Sequence, residues 1–148
     1  MIVVLFGQHT ACVVRVIVDR CPAGRVPECA ERVSVDMHGV HDWNLVIRNF
    51  VPAYDPQAKP DAARLAFESS PLASVKTWRS PVLLIHGDDD RNVPFSETVH
   101  LVEALRNQGV DFEQLIFPDE IHDFLKHEDW LRAYRASADF FERHLKGQ

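Results

Sequence analysis

Apolar positions along this chain follow two periods, and the places where one gives way to the other mark its elements. Val82-Leu83-Leu84-Ile85 is an unbroken apolar run, the pattern of a strand buried on both faces of a parallel sheet. Val33 to Met37 and Phe112 to Phe117 read as two further strands, the second closed by Pro118. Helical spacing appears at Val99, Val102 and Leu105, with Leu101 beside them, which predicts a helix over Ser96 to Gln108 that Gly109 stops. Glu128 to Leu145 predicts a long amphipathic helix whose buried stripe is Trp130, Tyr134, Ala138, Phe141 and Leu145. Asn44 to Val75 reads as irregular, punctuated by Pro52, Pro56, Pro60 and Pro71. Within it a short helix is expected from Asp61 to Glu68, with Asp61 as its cap and Pro60 barring an earlier start. Strand, helix, strand, helix with short links implies right-handed parallel crossovers and an α/β fold class, with a parallel sheet of three or four strands.

The opening of the chain is different. Val13 to Val18 is a possible strand, followed by Cys21-Pro22-Ala23-Gly24-Arg25-Val26-Pro27, which cannot be regular helix. Met1 to Phe6 is apolar but has no basic residue before it, so neither a signal peptide nor a membrane span is expected. A length of 148 residues suits one domain, and 46% hydrophobic with 26% charged residues is the composition of a soluble globular chain. The net charge of −6, with no basic stripe, argues against nucleic acid or a membrane as partner. Cys12, Cys21 and Cys29 are an odd number with no C-x-x-C pair, which favours a reducing, cytoplasmic setting over a disulfide framework.

Reactive groups in parallel α/β sheets collect outside the carboxyl ends of the strands. Two such ends are chemically loaded here. His86-Gly87-Asp88-Asp89-Asp90-Arg91-Asn92-Val93-Pro94 follows one strand, and Phe117-Pro118-Asp119-Glu120-Ile121-His122 ends another. Acid first and histidine second is the order of the back half of a hydrolase triad, whose front half is a serine on a G-x-S-x-G elbow. None of the six glycines has a serine two places on. Ser69, Ser70, Ser74, Ser80 and Ser96 lack the glycine-flanked strand-to-helix turn that a nucleophile needs. Of the three adjacent carboxylates, at least one is expected to face solvent and another to pair with Arg91.

These residues carry a resemblance. From Val35 to about Leu145 the chain resembles the C-terminal portion of the catalytic domain of the prolyl oligopeptidase family, serine peptidases of the α/β-hydrolase fold that include dipeptidyl and acylaminoacyl peptidases. Four ordered pieces match: Val35-Asp36-Met37-His38-Gly39-Val40-His41-Asp42-Trp43, then Ser70-Pro71-Leu72, then Ser80 to Phe95, then Phe117 to Phe124. The resemblance implies that His122 is the general base and that its orienting acid lies between Gly87 and Pro94. The spacing G-x-x-D-x-x-V-P selects Asp90, and a D-x-R form found in some relatives selects Asp89. Asp90 is preferred because it keeps register with Gly87 and Val93-Pro94.

The departure from the family lies upstream, where its elbow, nucleophile helix and first strands belong. Residues 1–32 match none of these, so the chain divides into an atypical segment, 1–32, and a partial catalytic domain, 33–148. A full hydrolase domain needs on the order of 200–250 residues. Three functional readings follow: a serine peptidase by descent that is inactive alone, a truncated or frameshifted gene product, and a non-catalytic interaction module. The expected partner is a peptide substrate of the full-length parent, with self-association possible at a sheet edge near Val35 unless Val13 to Val18 covers it. No cofactor is called for. His38 and His41 form an H-x-x-H pair followed by Asp42, but no second ligand cluster lies at helical or hairpin distance, so no metal is expected. Trp43, Trp78 and Trp130 are read as packing residues.

Overall fold

The computed structural model describes residues 2–6, 12–19 and 30–146. Five strands form one sheet in the order β1 (Ile2–Phe6), β2 (Cys12–Asp19), β3 (Ala30–Met37), β4 (Val82–Gly87) and β5 (Phe112–Phe117). The last three run parallel, in the expected crossover arrangement. The first two add an antiparallel extension, with β2 paired to β3 from Cys12↔Met37 to Asp19↔Ala30. The sheet is therefore mixed and one strand wider than expected, and the β3 edge is covered by β2. The proline-bearing stretch from Cys21 lies outside the described residues. Among the described residues no helix is long and apolar enough to cross a membrane.

Every residue of β4 is buried, because each of its faces meets a different layer. Leu83 and Ile85 point with Val33, Val35 and Met37 into a core with Phe117, Phe124, Ala133 and Phe140. Val82 and Leu84 point the other way, against Leu101, Val102, Leu105 and Val110. Alternation along a strand with both faces covered leaves no polar position, which is why the run is unbroken in sequence.

The crossover from β3 to β4 holds more regular structure than its prolines suggest. Helix α1 (Trp43–Phe50) falls in the stretch read as irregular. Asp42 caps it by accepting from the Asn44 N–H at 2.9 Å, so a cap signal was present in sequence, but eight residues are too few for periodicity to stand out. Helix α2 (Pro60–Glu68) begins at the proline expected to precede it. Proline suits the first helical position, where its missing N–H is no loss, and this leaves Lys59 at the cap and Asp61 in the first turn. A 3-10 helix over Pro71–Thr77 follows.

Helix α3 (Ser96–Gln108) has the expected bounds, with Gly109 left-handed at its end (φ 66°). Its buried face is Glu97, Thr98, Leu101, Val102 and Leu105, while Val99 lies outside at 41% exposed. Val99→Ser is accordingly expected to change unfolding free energy in urea by no more than about 0.5 kcal/mol. A loss of 2 kcal/mol or more (roughly that of burying and then deleting an aliphatic side chain) would place Val99 in the core.

Helix α4 (His127–Lys146) is also present, but its buried face is rotated from the expected stripe. Ala133 and Phe140 are buried, with Trp130, Ala136, Phe141 and Leu145 packed beside them, while Tyr134 and Ala138 are exposed. Small Ala133 lets the helix lie close on the sheet, so the large Tyr134 ring is left outside.

Candidate active site

The three parallel strands end on one lip, and each delivers a histidine or an acid there. The loops after β4 and β5 are laced together by backbone bonds. Asp88 N–H donates to Phe117 O and Asp89 N–H to Glu120 O, both at 3.1 Å. The Asp88 carboxylate accepts from Asp119 N–H at 2.7 Å, where Asp119 adopts a left-handed φ of 60°. Buried Glu120 accepts from the Leu125 N–H at 2.6 Å and pairs with Lys126 at 3.3 Å, which folds the 120–126 loop back on itself. His122 is carried on this loop.

The three aspartates take three separate tasks. Asp88 is exposed and ties the loops as described. Asp89 is exposed and pairs with Arg91 at 3.3 Å. Asp90 alone turns inward, at 6% exposed, and its Oδ2 lies 2.7 Å from His122 Nδ1. The structure thus brings Asp90, and not Asp89, to His122.

Asp90 is saturated with donors. Its Oδ1 accepts from the Asn92 and Val93 N–H groups at 2.8 and 2.9 Å, and its Oδ2 also meets His86 Nε2 at 3.1 Å. Burial alone would raise the pKa of this carboxyl, but the bonds from His122, His86 and Val93 outweigh it and hold the group well below the usual range. His122 responds in the opposite sense. Its bond to Asp90 raises its pKa, against a smaller opposing effect of partial burial.

Residues to which the sequence reading gave no part in the acid–base pair surround it. His86, fully buried at the end of β4, joins Asp90 on one side and Thr98 Oγ1 on the other at 2.6 Å. With Nε2–H donating to Asp90, Nδ1 accepts from the Thr98 hydroxyl. Near the end of β3, Asp36 accepts from His41 Nε2 at 2.8 Å. Glu97, 0% exposed, accepts from the His41 and Asp42 N–H groups at 2.9 and 2.8 Å, pinning that turn to α3. Burial lowers the His41 pKa, but Asp36 and then Glu97 outweigh it and the net shift is upward. Burial pushes the Glu97 carboxyl up. Asp36, His41 and His86 lie within motifs quoted from the sequence, whereas Glu97 and Thr98 lie on α3, where no local motif flags them.

His38 and His41 do not converge. His41 turns to Asp36, whereas His38 packs its ring 4.9 Å from that of His122 and 4.8 Å from Phe124. His38 is 4% exposed, and neither ring nitrogen has a hydrogen-bond partner. Burial, reinforced by His122 and His86, lowers its pKa to about 4. Its backbone is left-handed at φ 49°, a conformation that costs a non-glycine residue about 1–3 kcal/mol and clusters at functional sites.

Among the described residues, His122 bonds to no serine hydroxyl. Ser70 is buried but occupied, accepting from Trp43 N–H and donating to Ala66 O. Ser74 donates to the carbonyl of Pro71, and Ser96 starts α3. The tryptophans pack as expected, Trp43 with Val40, Val46 and Val93, Trp78 in the α3 core and Trp130 in the α4 core.

The chain is similar to known proteins in sequence and in fold. The sequence model of the prolyl oligopeptidase family matches residues 32–148. Acylamino-acid-releasing enzyme 2 of Oryza sativa subsp. japonica is 25% identical over 126 residues, covering 83% of this chain and 16% of that protein. Dipeptidyl-peptidase 5 of Porphyromonas gingivalis is 33% identical over 84 residues, covering 57% of this chain and 12% of that protein. Among solved structures, a Mycobacterium tuberculosis puromycin-hydrolyzing peptidase superposes with a TM-score of 0.62 at 25% identity, over 76% of this chain and 18% of its own. An acylaminoacyl peptidase of Pyrococcus horikoshii superposes at 0.64 and 23% identity, over 77% of this chain and 20% of its own, a likeness of fold. The chain thus spans less than a quarter of the length of these relatives.

Proposed function

The chain belongs to the prolyl oligopeptidase family, and we propose that it carries the acid and the base of a serine peptidase centre, Asp90 and His122, without a nucleophile of its own. In such a centre histidine takes the proton of the attacking serine and returns it to the leaving amine, while a buried carboxylate fixes the tautomer and stabilises the imidazolium. The observation that carries this reading is the 2.7 Å contact between His122 Nδ1 and a carboxylate that is itself 6% exposed. With Nδ1–H given to Asp90, the lone pair of the ring stands on Nε2, the atom that accepts the proton. His122 remains partly open to solvent, with 27% of its side chain exposed, as a group that meets substrate must be.

The substrate class is a peptide, acted on by the whole protein of which these residues form a part. Puromycin hydrolysis and the release of acylamino acids, named for the relatives, support amide-bond chemistry for the parent. A cytoplasmic setting is supported by three cysteines that form no C-x-x-C pair.

By itself the chain is expected not to hydrolyse peptides. In subtilisin, losing the serine alone costs about a million-fold in turnover, and the oxyanion donor that follows the nucleophile belongs to the same elbow. A serine-reactive fluorophosphonate is therefore expected to leave the purified chain unlabelled by mass spectrometry. Stoichiometric labelling of any serine would overturn this half of the reading.

A further inference from the structure

We propose that His38, Asp90 and His122 form a binding site for a borderline transition-metal ion of the zinc class. One ligand atom from each of the three lies within 4.8 Å of the other two. A tetrahedral ion with bonds of about 2.0–2.1 Å wants its ligand atoms roughly 3.3–3.4 Å apart, so a separation as wide as 4.8 Å has to close by about 1.4 Å while the 2.7 Å contact between Asp90 and His122 opens. Two imidazoles and one carboxylate are the donor set that zinc, copper and nickel take, in contrast to the all-oxygen shells of magnesium and calcium. Three protein ligands leave a fourth position open, as in catalytic rather than structural zinc sites.

His38 makes the cluster more than a pair with a neighbour. It is buried, its backbone is held left-handed, and both ring nitrogens lack partners. A buried polar group without a partner is costly, and a metal bond satisfies one of its nitrogens outright. The surrounding shell also suits a metal. Asp90 is oriented by the Asn92 and Val93 N–H groups and by His86, and His86 is in turn held by Thr98. Carboxylate ligands in metal sites are typically fixed by such outer bonds. His122 is the most open of the three ligands and gives the ion its way in.

Bound there, the ion competes with the proton for His122 and draws Asp90 away from it. The site rests on geometry alone and does not require the peptidase reading: a chain that fluorophosphonate labels, or one that it spares, binds metal equally on this proposal.

The test is zinc titration of the complete, chelator-treated chain by calorimetry, with cobalt absorption to report coordination geometry. The expected result is one zinc per chain at micromolar or tighter affinity, tetrahedral-type cobalt bands, and a loss of at least ~10-fold in affinity for His38→Ala and for His122→Ala. His127→Ala, at an exposed position outside the cluster, is expected to bind as the parent does. Equal affinity in the parent and the His38→Ala chain would overturn the proposal, because cysteines or surface histidines would then hold the ion. No binding up to millimolar zinc would overturn it too. Where His38→Ala fails to fold, histidine ring resonances of the unaltered chain decide: zinc must move those of His38 and His122 ahead of His100, His127 and His144, and the reverse order rejects the site.

Discussion

Asp90→Ala is expected to cost about 3–5 kcal/mol of stability, the range for removing one partner of a buried, hydrogen-bonded charge. The carboxylate accepts from two backbone N–H groups and two histidines, and alanine removes all four bonds at once. His86 Nε2 keeps the Val93 carbonyl at 3.1 Å, so the heavier loss falls on the Asn92 and Val93 N–H groups, which have no other acceptor in the turn. Urea unfolding measures the loss, and a value under about 1 kcal/mol would mean that Asp90 is not the hub described. The same substitution should return His122 towards its ordinary pKa of about 6.5, read from its ring proton shifts. A His122 titration unchanged by the substitution would disconnect the two residues.

The pH dependence of that loss has a definite sign. Asp90 titrates below its unfolded value, so its contribution is complete above about pH 4 and disappears as the carboxylate is protonated. His122 titrates above its unfolded value, so its contribution is complete below about pH 6.5 and is lost as pH rises through the raised value. The stability gap between the parent chain and Asp90→Ala is therefore expected to be widest from about pH 4 to 6.5. A gap that grows steadily above pH 8 would contradict this linkage.

Gly87→Ala is expected to be nearly as damaging, at about 3 kcal/mol, the upper range for forcing atoms into a filled site. A Cβ at Gly87 would collide with the carbonyl oxygen of Glu120, with Glu120 C at 2.7 Å and its Cβ at 3.1 Å. Those obstacles are mostly main chain, which cannot swing aside as a long side chain does. The loop bearing His122 has to retreat, and with it go the bonds from Asp88 N–H to Phe117 O and from Asp89 N–H to Glu120 O. Faster amide exchange at Asp88 and Asp89, together with a fall in the His122 pKa, is the expected signature. Unfolding free energy within 0.5 kcal/mol of the parent (the usual range for a neutral surface change) would show that the two loops are not in close register.

Much of this was written along the chain. Val82 to Gly87 had to be a two-sided buried strand because no polar residue interrupts it until His86. Ser96 to Gln108 and Phe112 to Phe117 were marked by apolar spacing and by Gly109 and Pro118 at their ends. Asp90 was singled out through the resemblance, whose G-x-x-D-x-x-V-P spacing selects it over the alternative Asp89.

Periodicity alone could not say which side of α4 the sheet would cover. Aromatic rings lie on more than one face of that helix, and the outcome turned on whether small Ala133 or large Tyr134 met the strands. The partners of Asp90 were hidden for a related reason. His86 lies only four positions before Asp90, but its second bond goes to Thr98 on α3, and His38 meets His122 across 84 positions (122 less 38), so no local window contains the whole set. Local sequence determined the three parallel strands and the bounds of α3, because propensity and turn chemistry act between chain neighbours. Only the packing of three strand ends on one lip decided that His38, Asp90 and His122 should meet, since burial and contact are properties of surfaces that residues far apart build together.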